Sequence, residues 1–152
     1  MPENTPRLNL VKPDTGNQSW EIDVERWAQK LDECAAQYLV ISLGGEAVDE
    51  EIFFNDFLFD EAVTITGASL FARTAPTGGA FTVDFLKNDV EQGKTVSINI
   101  GQSSGSGSIA GLTYDPSSPT PEKLGLKVKN IGATLPGAEI SVVVHYHVQP
   151  VP

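Results

Sequence analysis

Apolar residues recur along this chain in two rhythms, and the change from one to the other falls near residue 38. From Ser19, a plausible N-cap, the residues Trp20, Val24, Trp27, Leu31, Ala35 and Tyr38 follow at steps of three or four. That spacing predicts one amphipathic helix near 19–36, closed by residue 37. Glu21, Asp23 and Glu25 in its first turns complement the positive end of the helix dipole. Beyond it the period becomes two, and β-rich runs are predicted at 38–43, 52–59, 63–72, 81–86, 96–100, 124–131 and 140–148. In the third run Val63, Ile65, Ser69 and Phe71 are expected on one face, opposite Thr64, Thr66 and Ala72. In the fourth, Phe81, Val83 and Phe85 oppose Thr82, Asp84 and Leu86, and Asn88-Asp89 follow as a tight turn whose residues tolerate positive φ. The last run places Ile140, Val142, Val144, Tyr146 and Val148 together.

Seven or eight strands separated by Gly-, Pro- and Ser-rich turns define a mainly β chain, an antiparallel β-sandwich of jelly-roll-like topology occupying 38–152. It is preceded by the one short α-helix and by an extended N-terminal arm over 1–18. That arm carries Pro2, Pro6 and Pro13, and its only apolar cluster is Leu8, Leu10 and Val11. The stretch 101–121 is so rich in Gly, Ser and Pro that it reads as a long surface loop with at most a short strand at 109–112. Ser104, Ser106 and Tyr114 are therefore expected to be exposed there, as candidate contacts for a receptor or sugar.

Composition narrows the function classes. With 152 residues the chain suits one domain able to bury its own core. A formal charge of −10 and scattered basic residues argue against a nucleic-acid surface. Seven carboxylates between Glu46 and Glu61, without a Lys or Arg among them, read as a solvated face. No apolar run is long enough to span a bilayer, and the N-terminus lacks the apolar core of a secretion signal. Cys34 is the only cysteine, which excludes an internal disulfide and leaves it as a small hydrophobe.

The search for chemistry returns little. The chain has no G-x-S-x-G elbow, no phosphate loop ending in Gly-Lys-Ser/Thr and no dinucleotide fingerprint. His145 and His147 stand two apart on one strand face, where three copies around an axis would gather imidazoles into a symmetric site. No third ligand is fixed beside them by sequence. Phe53, Phe54, Phe57 and Phe59 are dense enough to be core or interface rather than a sugar platform. The expectation is a non-enzymatic protein without cofactor or metal.

Two segments carry a resemblance. Ala75-Pro76-Thr77-Gly78, followed by Phe81-Thr82-Val83-Asp84-Phe85-Leu86-Lys87-Asn88, resembles a domain of tailed-bacteriophage structural proteins in which such a turn leads into a strand ending in Lys-Asn. The stretch from Ile131 to Val142, with Leu135-Pro136-Gly137-Ala138 at its centre, is similar to that family's closing segment. Asp89 stands where the family has glycine, and a Gly-Asp pair common in the family is missing near 122–125. Separately, the run from Leu8 to Gly16, with Trp20 and Leu31-Asp32, is similar to the N-terminal segment of phage fibre and appendage proteins, which attaches to the virion. The resemblance thus implies a virion location and a virion-binding role for Leu8, Leu10, Val11 and Trp20.

These readings converge on a capsid decoration, or cement, protein that binds the major capsid protein or another virion protein. Outward-facing Leu86 and Val143 and the many phenylalanines suggest self-association, with a homotrimer expected. The alternative is a tail or head-fibre component that anchors to the virion and binds a host surface glycan.

Overall fold

A computed structural model describes residues 36–149. Their secondary structure is eight strands: β1 (Gln37–Glu46), β2 (Ile52–Phe57), β3 (Val63–Thr74), β4 (Phe81–Lys87), β5 (Val90–Ile98), β6 (Ser104–Tyr114), β7 (Leu124–Asn130) and β8 (Ala138–Val148). All pair antiparallel, in two four-stranded sheets ordered β1-β8-β3-β6 and β2-β7-β4-β5. The expected arm, the helix and Cys34 lie outside the described residues, as do Leu8, Leu10, Val11 and Trp20. Gln37, expected to close that helix, instead opens β1, and Tyr38 stands in the strand expected from residue 38.

The facing sides of the two sheets share one core. The first sheet contributes Ile65, Leu70, Leu112, Ile140, Val142 and Val144, and the second Phe81, Val83, Phe85, Ile98, Leu124, Leu126 and Val128. Inward and outward residues alternate in β8 as the period-two pattern predicts, and in β4 Phe81, Val83 and Phe85 enter the core while Thr82, Asp84 and Leu86 are buried on the other side. At the open end, Phe59 packs edge-on against Phe57 and Tyr146 and tilts against Tyr114, so the phenylalanine-rich run closes the core rather than facing solvent.

Three expectations are overturned here. In β3 the register slips between Ile65 and Gly67, so Ala68, Leu70 and Ala72 face inward while Ser69 and Phe71 turn out. An extra residue in a strand reverses the face of everything after it. The neighbouring β6 slips at the same level, where Gly111 takes a φ of 72°, so both strands change phase together. Second, Leu86 points away from the core yet is fully buried, because Gly125 beside it on β7 leaves the space that Leu86 fills.

Third, the predicted surface loop is an eleven-residue strand, β6. Its Ser-Gly alternation is a strand pattern in which Ser104, Ser106 and Ser108 face solvent and Gly105 and Gly107 face in. The inward glycine at 105 is required by β5, the edge of the opposite sheet. A Cβ on Gly105 would lie 1.9 Å from the carbonyl oxygen of Ser97. At Gly105 the two sheets therefore close main chain against main chain, while at Gly107 the Val96 side chain lies between them.

Gly105→Ala is expected to destabilise by about 2–3 kcal/mol, because the obstacle is backbone that cannot swing aside. Gly44→Ala meets no atom within 4 Å and is expected to change stability by less than about 0.5 kcal/mol. Urea unfolding of the two variants beside the parent measures the contrast.

Candidate functional site

The two outer faces differ in charge. On the second sheet Lys127 and Lys129 of β7 form a network with Glu91 of β5 and Glu50 ahead of β2. Lys127 and Lys129 each stand 2.9 Å from Glu91, Lys129 lies 3.4 Å from Glu50, and Lys127 also contacts Glu50. These hydrogen bonds hold the Glu50 and Glu91 carboxyls below their ordinary range and the two ammonium groups above theirs. Asp84, on the same face, accepts from the Lys94 amide at 3.1 Å, while burial raises its carboxyl above the usual value.

The outer face of the first sheet carries no such groups. Tyr38, Val40 and Ser42 of β1 lie beside Ser141, Val143 and His145 of β8, which in turn lie beside Ser69 and Phe71 of β3 and Ser104 and Ser106 of β6. No Asp, Glu, Lys or Arg stands among these residues; Arg73 and Glu139, neighbours across β3 and β8, are the charges at one end. Three large apolar side chains are left open to solvent there: Tyr38 at 58%, Val40 at 64% and Phe71 at 51%. Tyr38 packs edge-on against the His145 ring with centroids 4.9 Å apart, and His145 Nε2 lies 3.0 Å from Ser69 Oγ. Along the β3–β6 seam two shallow depressions are lined by Ser69, Phe71, Ser104, Ser106 and His145.

The residues singled out from sequence separate on this frame. Ser104 and Ser106 are exposed as expected, on a strand rather than a loop. His145 and His147 share the outer face of β8, and His147 Nδ1 lies 3.3 Å from the Val148 carbonyl. Among the described residues no group of three or more His, Cys, Asp or Glu side chains is placed to hold a metal ion. Also among them, no helix is long and apolar enough to cross a membrane. Tyr114 is a correction. It is completely buried at the end of β6, and its hydroxyl donates to the Leu86 carbonyl at 2.8 Å. It anchors the end of the core and is closed to any receptor.

The segments that carry the phage resemblance meet in space. The Thr77 amide donates to the Leu135 carbonyl at 3.0 Å, and the Thr134 and Leu135 amides return bonds to the Thr77 carbonyl at 3.0 and 3.3 Å. The Gly101 amide reaches Pro76 O at 2.8 Å, and a Cβ on Gly132 would strike main-chain atoms of Leu135 and Thr77. The two motifs form one main-chain clasp joining the loops after β3, β5 and β7. At the opposite end Asn88 and Asp89 form the expected turn with φ of 49° and 68°, and Asn88 exchanges main-chain and side-chain hydrogen bonds with Lys123. Asp89 thus takes the conformation for which glycine is the usual residue, and its carboxylate accepts from the Asn55 side chain. No protein-family model matches the chain, and no curated protein matches it.

Burial pushes the Tyr114 hydroxyl well above the ordinary tyrosine range. A group raised in the folded state contributes stability below its unfolded pKa and loses it as pH climbs further. Tyr114→Phe is expected to cost about 1–2 kcal/mol at neutral pH, since the Leu86 carbonyl loses its donor. The gap between parent and variant should shrink above about pH 10, where the unfolded parent ionises. Thermal unfolding of both proteins across pH 8–11 measures it.

Proposed function

We propose that this chain is a non-enzymatic assembly module of a tailed-bacteriophage particle, a cement protein that decorates the capsid as a homotrimer. The observation that carries the reading is the charge-free centre of the first sheet's outer face, with Tyr38, Val40 and Phe71 uncovered on a chain of net charge −10. Interface centres are poor in charge and rich in aromatic residues, whereas a surface facing only water has no reason to be. The strand order supports the finer architecture: β1 pairs with β8, β2 with β7, β3 with β6 and β4 with β5, the wrapping of one long hairpin into a jelly roll. The clasp supports the phage resemblance, because the two resembling segments are parts of one structural unit. In this reading Leu8, Leu10, Val11 and Trp20 contact the capsid.

A second reading, a tail or head-fibre component binding a host glycan, is favoured by the depressions beside Phe71. An exposed ring there adjoins the hydroxyls of Ser69, Ser104 and Ser106. Copy number separates the two. Quantitative mass spectrometry of particles purified from the phage that encodes the chain is expected to find hundreds of copies per particle. A few copies would favour the fibre, and none would defeat both. Deleting residues 1–18 is expected to abolish incorporation while leaving the folded β domain intact by circular dichroism.

A further inference from the structure

We infer that copies of this chain associate with one another through the outer face of the first sheet, around Val40, Val143 and Phe71. The inference rests on the assembly reading and names the surface that self-association uses. Charge selects the occupant. Each copy carries −10, so two copies repel unless they meet where neither presents a carboxylate. Among the described strands, the second sheet presents Glu91, Lys127 and Lys129 on its outer face, and the first presents no charged residue between Tyr38 and Phe71.

The ends of the face are also self-complementary. Arg73 and Glu139 lie side by side across β3 and β8, where Ala72 pairs with Ile140 and Thr74 with Ala138. With the exposed Glu46 of β1 at the same end, each copy brings Arg73 and two carboxylates there, so Arg73 of one copy can pair with a carboxylate of the other. The size fits. Four strands wide and eleven residues along β8, the face covers about 19 by 36 Å, or roughly 700 Å², close to the ~800 Å² that each partner buries in a stable complex. Val40 and Val143 favour protein over sugar, because aliphatic side chains offer a pyranose neither a stacking plane nor a hydrogen bond.

Light scattering of the full chain at micromolar concentration tests this without any particle. The expected mass is a whole multiple of 16.3 kDa. Val40→Lys and Phe71→Lys change exposed residues, and each is expected to give 16.3 kDa with an unchanged β-sheet spectrum. Ser106→Lys, at the edge of the same face, serves if either fails to fold. Val90→Lys, equally exposed in the second sheet, is expected to keep the parent mass. A parent mass of 16.3 kDa overturns the inference, as do folded lysine variants that keep the multiple. A monomer whose Phe71 resonances move on adding a monosaccharide or purified particles would assign the face to those ligands instead. Contacts from Trp20 or Trp27 to Phe71 within a monomer would assign it to residues 1–35. Particles that carry a monomeric chain defeat this inference alone, whereas a multimer absent from particles defeats only the capsid reading.

Discussion

The carbonyl oxygen of Ser97 leaves no room for a side chain at residue 105, and the form of the first sheet follows from that contact. Because β6 brings bare main chain against β5 at Gly105, that inward position must be glycine, and the side chains of this part of β6 lie on its outward positions. Serine is the small residue that tolerates solvent on one side without adding bulk to a crowded edge. Where β6 moves away from β5 the glycines end and Ile109, Leu112 and Tyr114 return to the core. The bulge at Gly111 and its counterpart at Gly67 keep the neighbouring strands in phase through that change.

The clasp at 75–78 and 131–137 bears on what the phage resemblance means. Its bonds are main chain to main chain, and Gly78 and Gly132 stand where a Cβ would strike Thr134 or backbone. A segment constrained in this way retains its sequence for the sake of the fold. The resemblance therefore speaks for architecture, and the properties that distinguish this chain lie in residues that the resembling segments do not include: Tyr38, Val40, Ser69, Phe71 and His145.

Much of the architecture was legible in the sequence, and the failures have physical causes. β8 could be read directly, because one apolar residue in two records burial on one side, and the same alternation picks out Phe81, Val83 and Phe85 as the inward set of β4. β6 could not, since its Ser-Gly repeat encodes close approach of two backbones and leaves no apolar trace before Ile109. The phase of β3 failed at a bulge, which changes which side chains face inward without changing composition. Leu86 failed because the glycine that accommodates it is 39 positions along the chain, on β7. Ser104, Ser106 and His145 were named in advance, but not as neighbours of Val40 and Phe71. That neighbourhood exists only once β8 has come between β1 and β3, a pairing of residues about a hundred positions apart.

The insertion of β8 between β1 and β3 has a consequence for synthesis. β1 has no partner in its sheet except β8, and β3 has only β6 until β8 arrives. A nascent chain that has emerged through residue 130 holds seven strands but exposes two lengths of unpaired edge and half of its core. The second sheet has all of its strands by then, but the first cannot close without β8, so completion of the fold waits on the last strand and proceeds through contacts of high sequence separation. Translation that stops short of β8 would release an adhesive fragment rather than a smaller domain, and incomplete copies would be removed by aggregation or proteolysis before they could enter an assembly.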